Sequence, residues 1–124
     1  MRKDGKITLA NNTGSTDVAV ASTGTAYSPT FDLSVALKIG LELIATSAGA
    51  VDILVKLQVS NEKTNWAVED GYSDIINITD ETRHFKTVYD TAIPAHKYGR
   101  IAFVGQGSNH ASTTIAGNIN VVES

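Results

Sequence analysis

The stretch that decides the fold is Leu33 to Val59, LSVALKIGLELIATSAGAVDILVKLQV. In its first half Leu33, Val35, Leu37, Ile39, Leu41 and Leu43 fall on every second position, with Ser34, Lys38 and Glu42 between them. In its second half Val51, Ile53, Val55, Leu57 and Val59 repeat the pattern, separated by Asp52, Lys56 and Gln58. A period of two puts the apolar side chains of a strand on one face, which must then be buried. A helix would gather Leu33, Leu37, Leu41 and Ile44 on one stripe but leave Val35, Ile39 and Leu43 on its far side. The strand reading prevails. The link Thr46-Ser47-Ala48-Gly49-Ala50 is short and contains Gly, so it predicts that the two strands pair as an antiparallel hairpin. Gly40 is expected to mark a bulge or bend in the longer strand.

Outward from this stretch, Lys6–Ala10, Asp17–Thr23, a strand opening at Trp66, Asp74–Thr79, His84–Tyr89, Tyr98–Val104 and Thr113–Val122 read as further strands. Residues of the Asn, Asp, Gly and Ser type bound them and supply turn chemistry. About eight closely spaced strands are the pattern of a sandwich or jelly roll. Composition agrees: Val (11), Ile (11) and Thr (14) are abundant among 124 residues, and β-branched side chains fit a pleated surface. The fold class is therefore all-β, a single antiparallel β-sandwich or jelly-roll-like domain. Residues 1–30 are polar and rich in Gly, Ser and Thr, and Pro29 cannot donate within a central ladder. They read as an N-terminal arm with the first short strands, poised to clamp a neighbour, and residues 31–124 as the sandwich core.

Composition also excludes functions. Thirteen acids against ten bases give a net charge of −3, which argues against a nucleic-acid or anionic-membrane binder. With no Cys there is no disulfide scaffold, thiolate zinc site or cysteine nucleophile. The opening MRKDGKITLANNTG lacks the apolar run of a signal peptide, so synthesis in a reducing cytoplasm is expected.

The chemistry-bearing residues form no enzyme pattern. His84, His96 and His110 are isolated, without the spacing that sets two imidazoles on one metal. Seven acids lie between Glu62 and Asp90 (with Glu69, Asp70, Asp74, Asp80 and Glu81) against Lys63, Arg83 and Lys86. They lack the order of a calcium loop and read as solvated loop acids. No G-x-S-x-G elbow occurs, and Gly105-Gln106-Gly107 lacks the third Gly of a phosphate loop. The expectation is a non-enzyme without cofactor or metal. Among the aromatics, Trp66 directly follows a turn, and the reading favoured is a core anchor at a strand start.

The segment VDILVKLQVSNEKTNW, Val51 to Trp66, resembles a recurring pattern: an alternating strand, then S-N-[DE]-x-T-N-W, then another strand. The pattern is that of β-sandwich domains in tailed-bacteriophage virion proteins of the capsid-decoration type and, more loosely, of discoidin-like carbohydrate-binding modules. In those families a later strand carries a Tyr and an Arg near its start, and Tyr98-Gly99-Arg100-Ile101-Ala102-Phe103-Val104 is similar to it. Lys63 stands where the turn usually has Gly, which leads us to expect another backbone geometry there. Fewer aromatic and basic residues than usual lie on the loops that bind ligand in the discoidin-like modules.

The resemblance implies a structural virion protein that decorates or cements a phage capsid from its outer surface. Its partners would be the major capsid protein and copies of itself, as a homotrimer, with no nucleic acid and no membrane. Arg2, Lys3, Lys6 and Tyr27 are the candidate partner-binding residues, the three cations being placed to meet acidic shell residues. The alternatives are a tail or neck component, or a carbohydrate-binding module on a virion surface or tail fibre, with Trp66 or Tyr72 as the glycan platform.

Overall fold

The computed structural model describes residues 3–8, 18–33, 36–68, 73–88, 97–109 and 113–123. Eleven strands follow one another: β1 (Lys3–Thr8), β2 (Val18–Val20), β3 (Thr25–Tyr27), β4 (Phe31–Asp32), β5 (Ala36–Thr46), β6 (Ile53–Ser60), β7 (Ala67–Val68), β8 (Ile76–Ile78), β9 (Arg83–Val88), β10 (Tyr98–Gly105) and β11 (Thr113–Glu123). They form two antiparallel sheets. One runs β1-β11-β5-β9 with β2 also on β11, and the other runs β3-β10-β6-β7 with β4 also on β10 and β8 also on β6.

Several segments are pieces of one edge. β1 pairs with Asn118–Glu123 of β11 and β2 with its Thr113–Ile115. β3 and β4 divide β10 in the same way, and β7 and β8 divide β6. Merging these three pairs leaves eight strand positions, four in each sheet. From β4 to β6 and again from β8 to β11 the chain crosses from one sheet to the other, which is jelly-roll connectivity.

That crossing overturns the expected hairpin. β5 pairs with β11 and β9, whereas β6 pairs with β10, β7 and β8. The two alternating runs face each other through the core instead of lying edge to edge. A period-two pattern fixes which face is buried and says nothing about which edges pair. The linking segment is long enough to arch between layers about 10 Å apart.

The core lies between the sheets. Leu33, Ile39, Leu41 and Leu43 from one half of the decisive stretch meet Ile53, Val55, Leu57 and Val59 from the other, with Phe103, Ile101, Ile115 and Ile119. Each such side chain contributes roughly 1.5–3 kcal/mol by leaving water. The stretch read as an N-terminal arm supplies β1, β2 and β3 to the chain's own sheets, and Val18 and Val20 belong to this core.

Gly40 makes no bulge, against expectation. It pairs in regular register with Asn120 and Thr87, and the register shift in β11 falls between Val122 and Glu123. The conformationally special glycine of the pair is Gly117, opposite Leu43, with φ of 138°. A Cβ at that position would overlap the Glu42 carbonyl oxygen. Only glycine fits there.

Candidate functional site: an arginine held between two aromatic rings

The turn Ser60 to Trp66 builds one side of the site. Ser60 is buried, and its Oγ accepts hydrogen bonds from the Glu62 and Lys63 backbone N–H groups at 3.2 and 3.0 Å. The Glu62 carboxylate accepts the Asn65 N–H at 3.0 Å, and the Trp66 indole N–H donates to the Lys63 carbonyl at 3.2 Å. Asn61 Oδ1 accepts the Lys97 N–H at 3.2 Å and ties the turn to the start of β10. Ser, Glu and Asn side chains thus satisfy backbone donors that no ladder reaches, and the indole satisfies a backbone acceptor.

Lys63 adopts φ of 69°, so the turn keeps the left-handed geometry glycine would supply. The expectation of a different backbone is thereby corrected. Its ammonium lies 4.6 Å from the centre of the Tyr98 ring, and Lys97 lies 5.4 Å from the same ring. This cation–π attraction offsets part of the cost of a left-handed non-glycine residue.

Trp66 is also corrected. It is half-buried and absent from the core, because the self-bonded turn lays it over the outer face of the six-stranded sheet. There the Arg100 guanidinium carbon sits 4.3 Å from the Trp66 ring centre and 3.8 Å from that of Tyr27. Register explains the meeting. Arg100 pairs directly with Gln58 on β6, and Tyr27 lies opposite Ala102, one outward position further along β10. Arg100 Nε donates to Gln58 Oε1 at 2.8 Å.

Burial lowers the Arg100 pKa below its ordinary value, and the electrostatic influence of Tyr27 opposes this. Arginine nonetheless remains cationic at neutral pH. No carboxylate of the described residues forms an ion pair with it; Glu42 instead pairs with Arg83, and Asp80 with His84. Ala102, though on the outer side of β10, is fully buried, with Tyr27 and Lys56 as its cross-strand neighbours.

Two residues picked out for different readings, Tyr27 as a partner contact and Trp66 as a glycan platform, thus flank the same guanidinium. Sequence reasoning did not single out Arg100, Gln58 or Lys56 as site residues. The Tyr98-Gly99-Arg100 pattern was the available signal. Lys3 and Lys6 lie in β1, opposite Glu123 and Asn120. Arg2 and Tyr72 lie outside the described residues, as do Glu69, Asp70, Asp90, His96 and His110. Asp74, Asp80 and Glu81 are exposed. Among the described residues no three His, Asp or Glu side chains gather into a group that could hold a metal ion.

No family model and no curated protein matches the sequence. Solved structures do resemble it. The infectious bursal disease virus VP2 subviral particle has a TM-score of 0.58 at 15% identity, covering 98% of this chain and 32% of that one. The SPBc2 prophage-derived protein YomS has a TM-score of 0.53 at 10% identity and covers 99% of this chain and 96% of that one. The enzymatically active domain of bacteriophage CBA120 tailspike protein 4 has a TM-score of 0.57 at 15% identity, over 98% and 19% of the respective chains. This chain therefore spans about a third of the VP2 chain, a fifth of the tailspike chain and nearly all of YomS. At these identities what is shared is the fold, an antiparallel β-sandwich.

Proposed function

We propose that this chain is a structural virion protein that docks on the outer surface of a tailed-phage capsid and cements it by bridging shell subunits. The observation that carries the reading is the Tyr27–Arg100–Trp66 stack. In a chain of net charge −3, one sheet face gathers Arg100, Lys63 and Lys97 around aromatic rings, with Lys56 on the neighbouring strand opposite Ala102. Arg and aromatic side chains are enriched at the energetic centres of protein interfaces. The fold is compatible with many roles, so the argument rests on this face rather than on the sandwich.

The expected counterpart is a carboxylate-bearing patch of the major capsid protein. The guanidinium, held flat by two rings and by Gln58, keeps an edge for bidentate pairing at little further cost in side-chain entropy. From β3 through β10 and β6 to β7 the face crosses three strand spacings, about 14 Å. That is broad enough to lie across a junction between two subunits. Copies of the chain associate as a trimer at local three-fold points, and many modest contacts add up over a polyvalent shell.

The test titrates purified protein onto particles that lack it and counts bound copies by densitometry and cryo-EM. Saturation at a lattice stoichiometry supports the reading, and absence of binding overturns it. The half-buried position of Trp66 favours one second reading, a carbohydrate-binding module with Trp66 or Tyr72 as platform. A change of Trp66 fluorescence on adding glycan would favour it.

A further inference from the structure

We propose that the outer face of the opposite sheet, the one containing β5, β9 and β11, carries a binding groove for a neutral saccharide. The site is distinct from the Arg100 face and from either aromatic platform considered above. The register of three adjacent strands builds it. Asn120, Gly40 and Thr87 lie side by side across β11, β5 and β9, and Asn118, Glu42 and Phe85 form the next row. Gly40 has no side chain, so the middle strand leaves a gap between the side chains of its neighbours. The result is a groove of about 470 Å³ lined by these six residues together with Leu41 and Lys86. That volume falls within the range of small-ligand sites, roughly 300–1,000 Å³.

The lining selects the ligand class. Phe85 is 70% exposed, far more than any other large apolar side chain described, and stands at the wall of the groove. An aromatic face carries partial negative charge that attracts the polarised C–H groups of a pyranose ring. Sugar hydroxyls then need donors and acceptors at the ring's rim. Thr87 offers a hydroxyl, and Asn118 and Asn120 offer amides; among the described residues the side chains of Thr87 and Asn120 have no hydrogen-bond partner.

Charge disfavours a basic occupant. The Glu42 carboxylate, the acid of the groove, is neutralised by Arg83 Nη1 at 3.1 Å and accepts Asn118 Nδ2 at 3.2 Å. Among the lining residues the charge left over is the exposed Lys86 ammonium, a donor to sugar hydroxyls, so the polar trough beside the exposed ring matches an uncharged polyhydroxylated ligand better than a basic peptide. No described residue fills the space over Gly40. A Cβ there would meet its nearest atom, Asn120 Cβ, at 3.9 Å, an ordinary contact, so steric need does not explain the glycine.

The two outer faces point in opposite directions, so a copy docked through Arg100 presents this groove to solvent. The saccharide proposal does not depend on that docking and is tested on the free protein. Four neutral hexasaccharides (cellohexaose, maltohexaose, hexa-N-acetylchitohexaose and mannohexaose) are titrated to ~10 mM while amide chemical shifts are recorded, a concentration that detects even millimolar affinity. The expected result is saturable shifts with at least one of them, confined to residues 38–44, 83–88 and 116–120. Phe85→Ala and Gly40→Gln, both of which the surroundings accommodate, then weaken binding at least about tenfold, and Trp66→Ala leaves it unchanged. No saturable shift with any of the four overturns the proposal. So does binding that survives Phe85→Ala, or shifts centred on Trp66.

Discussion

Arg100 and Trp66 meet at 4.3 Å although they reach the same place by different routes, one as a strand residue and the other at the end of a turn. With Tyr27 at 3.8 Å on β3, the contact joins three segments that are distant in sequence. Such a stack ties the three segments together on the outer face and holds the guanidinium between two rings.

The stack has its own energetic signature. Arg100→Met keeps an apolar stem and removes the cation, so urea denaturation should report a loss of about 1–2 kcal/mol. A double-mutant cycle with Trp66→Leu should give a coupling of about 0.5–1 kcal/mol. Zero coupling would mean that the rings and the guanidinium are neighbours without attraction.

Two glycines with positive φ should behave differently. Gly107 has φ of 89° and open space around it, so Gly107→Ala costs only the backbone strain, about 1 kcal/mol. Gly117, at φ of 138°, adds an overlap with the Glu42 carbonyl, so Gly117→Ala should break the β5–β11 pairing and lose well over 3 kcal/mol. Thermal melts of the two variants separate these outcomes.

At Lys63 the left-handed backbone and the Tyr98 contact oppose each other. Lys63→Gly relieves the first and loses the second, and stability should stay within about 0.5 kcal/mol. Lys63→Val keeps the strain, adds β-branching and loses the contact, so a loss of about 1–2 kcal/mol is expected by the same denaturation assay.

Asp80 provides a pH dependence. Hydrogen bonds from the Thr82 hydroxyl and N–H, then from His84, hold its pKa below the ordinary value against a small opposing effect of burial. A carboxylate whose pKa is lowered by folding stabilises the fold above its unfolded pKa and loses that contribution as pH falls through the folded one. Stability should therefore decline below about pH 4. Asp80→Asn should flatten that part of the profile by a small amount, because the group is exposed.

The buried faces of the fold were legible in the sequence because alternation reports burial directly. Ile39, Leu41, Leu43, Ile53, Val55, Leu57 and Val59 all enter the core as their spacing requires. Pairing was not legible: β5 and β6 have the same pattern whether they share an edge or face each other across the core. The site was half legible. Tyr27 was a candidate partner contact and Trp66 a candidate glycan platform, and the Tyr98-Gly99-Arg100 pattern stood out by resemblance. Their meeting depends on β3 and β6 flanking β10 in a particular register, which no local pattern encodes. Trp66 escaped the core because its indole N–H is satisfied within its own turn, by the Lys63 carbonyl. Phe85 is exposed on β9, an edge strand whose alternation is weak, and only the register with Gly40 and Glu42 gives it a groove to border.

Docking through the Arg100 face buries that face against the shell. The most direct measurement is a cryo-EM map of particles reconstituted with this protein, paired with a binding titration of Arg100→Met at low and high salt. Tyr27, Arg100 and Trp66 should lie buried against acidic shell residues, and wild-type affinity should fall with salt while the variant binds weakly throughout. A map with this face open to solvent, or an Arg100→Met variant that binds as tightly as wild type, would contradict this docking.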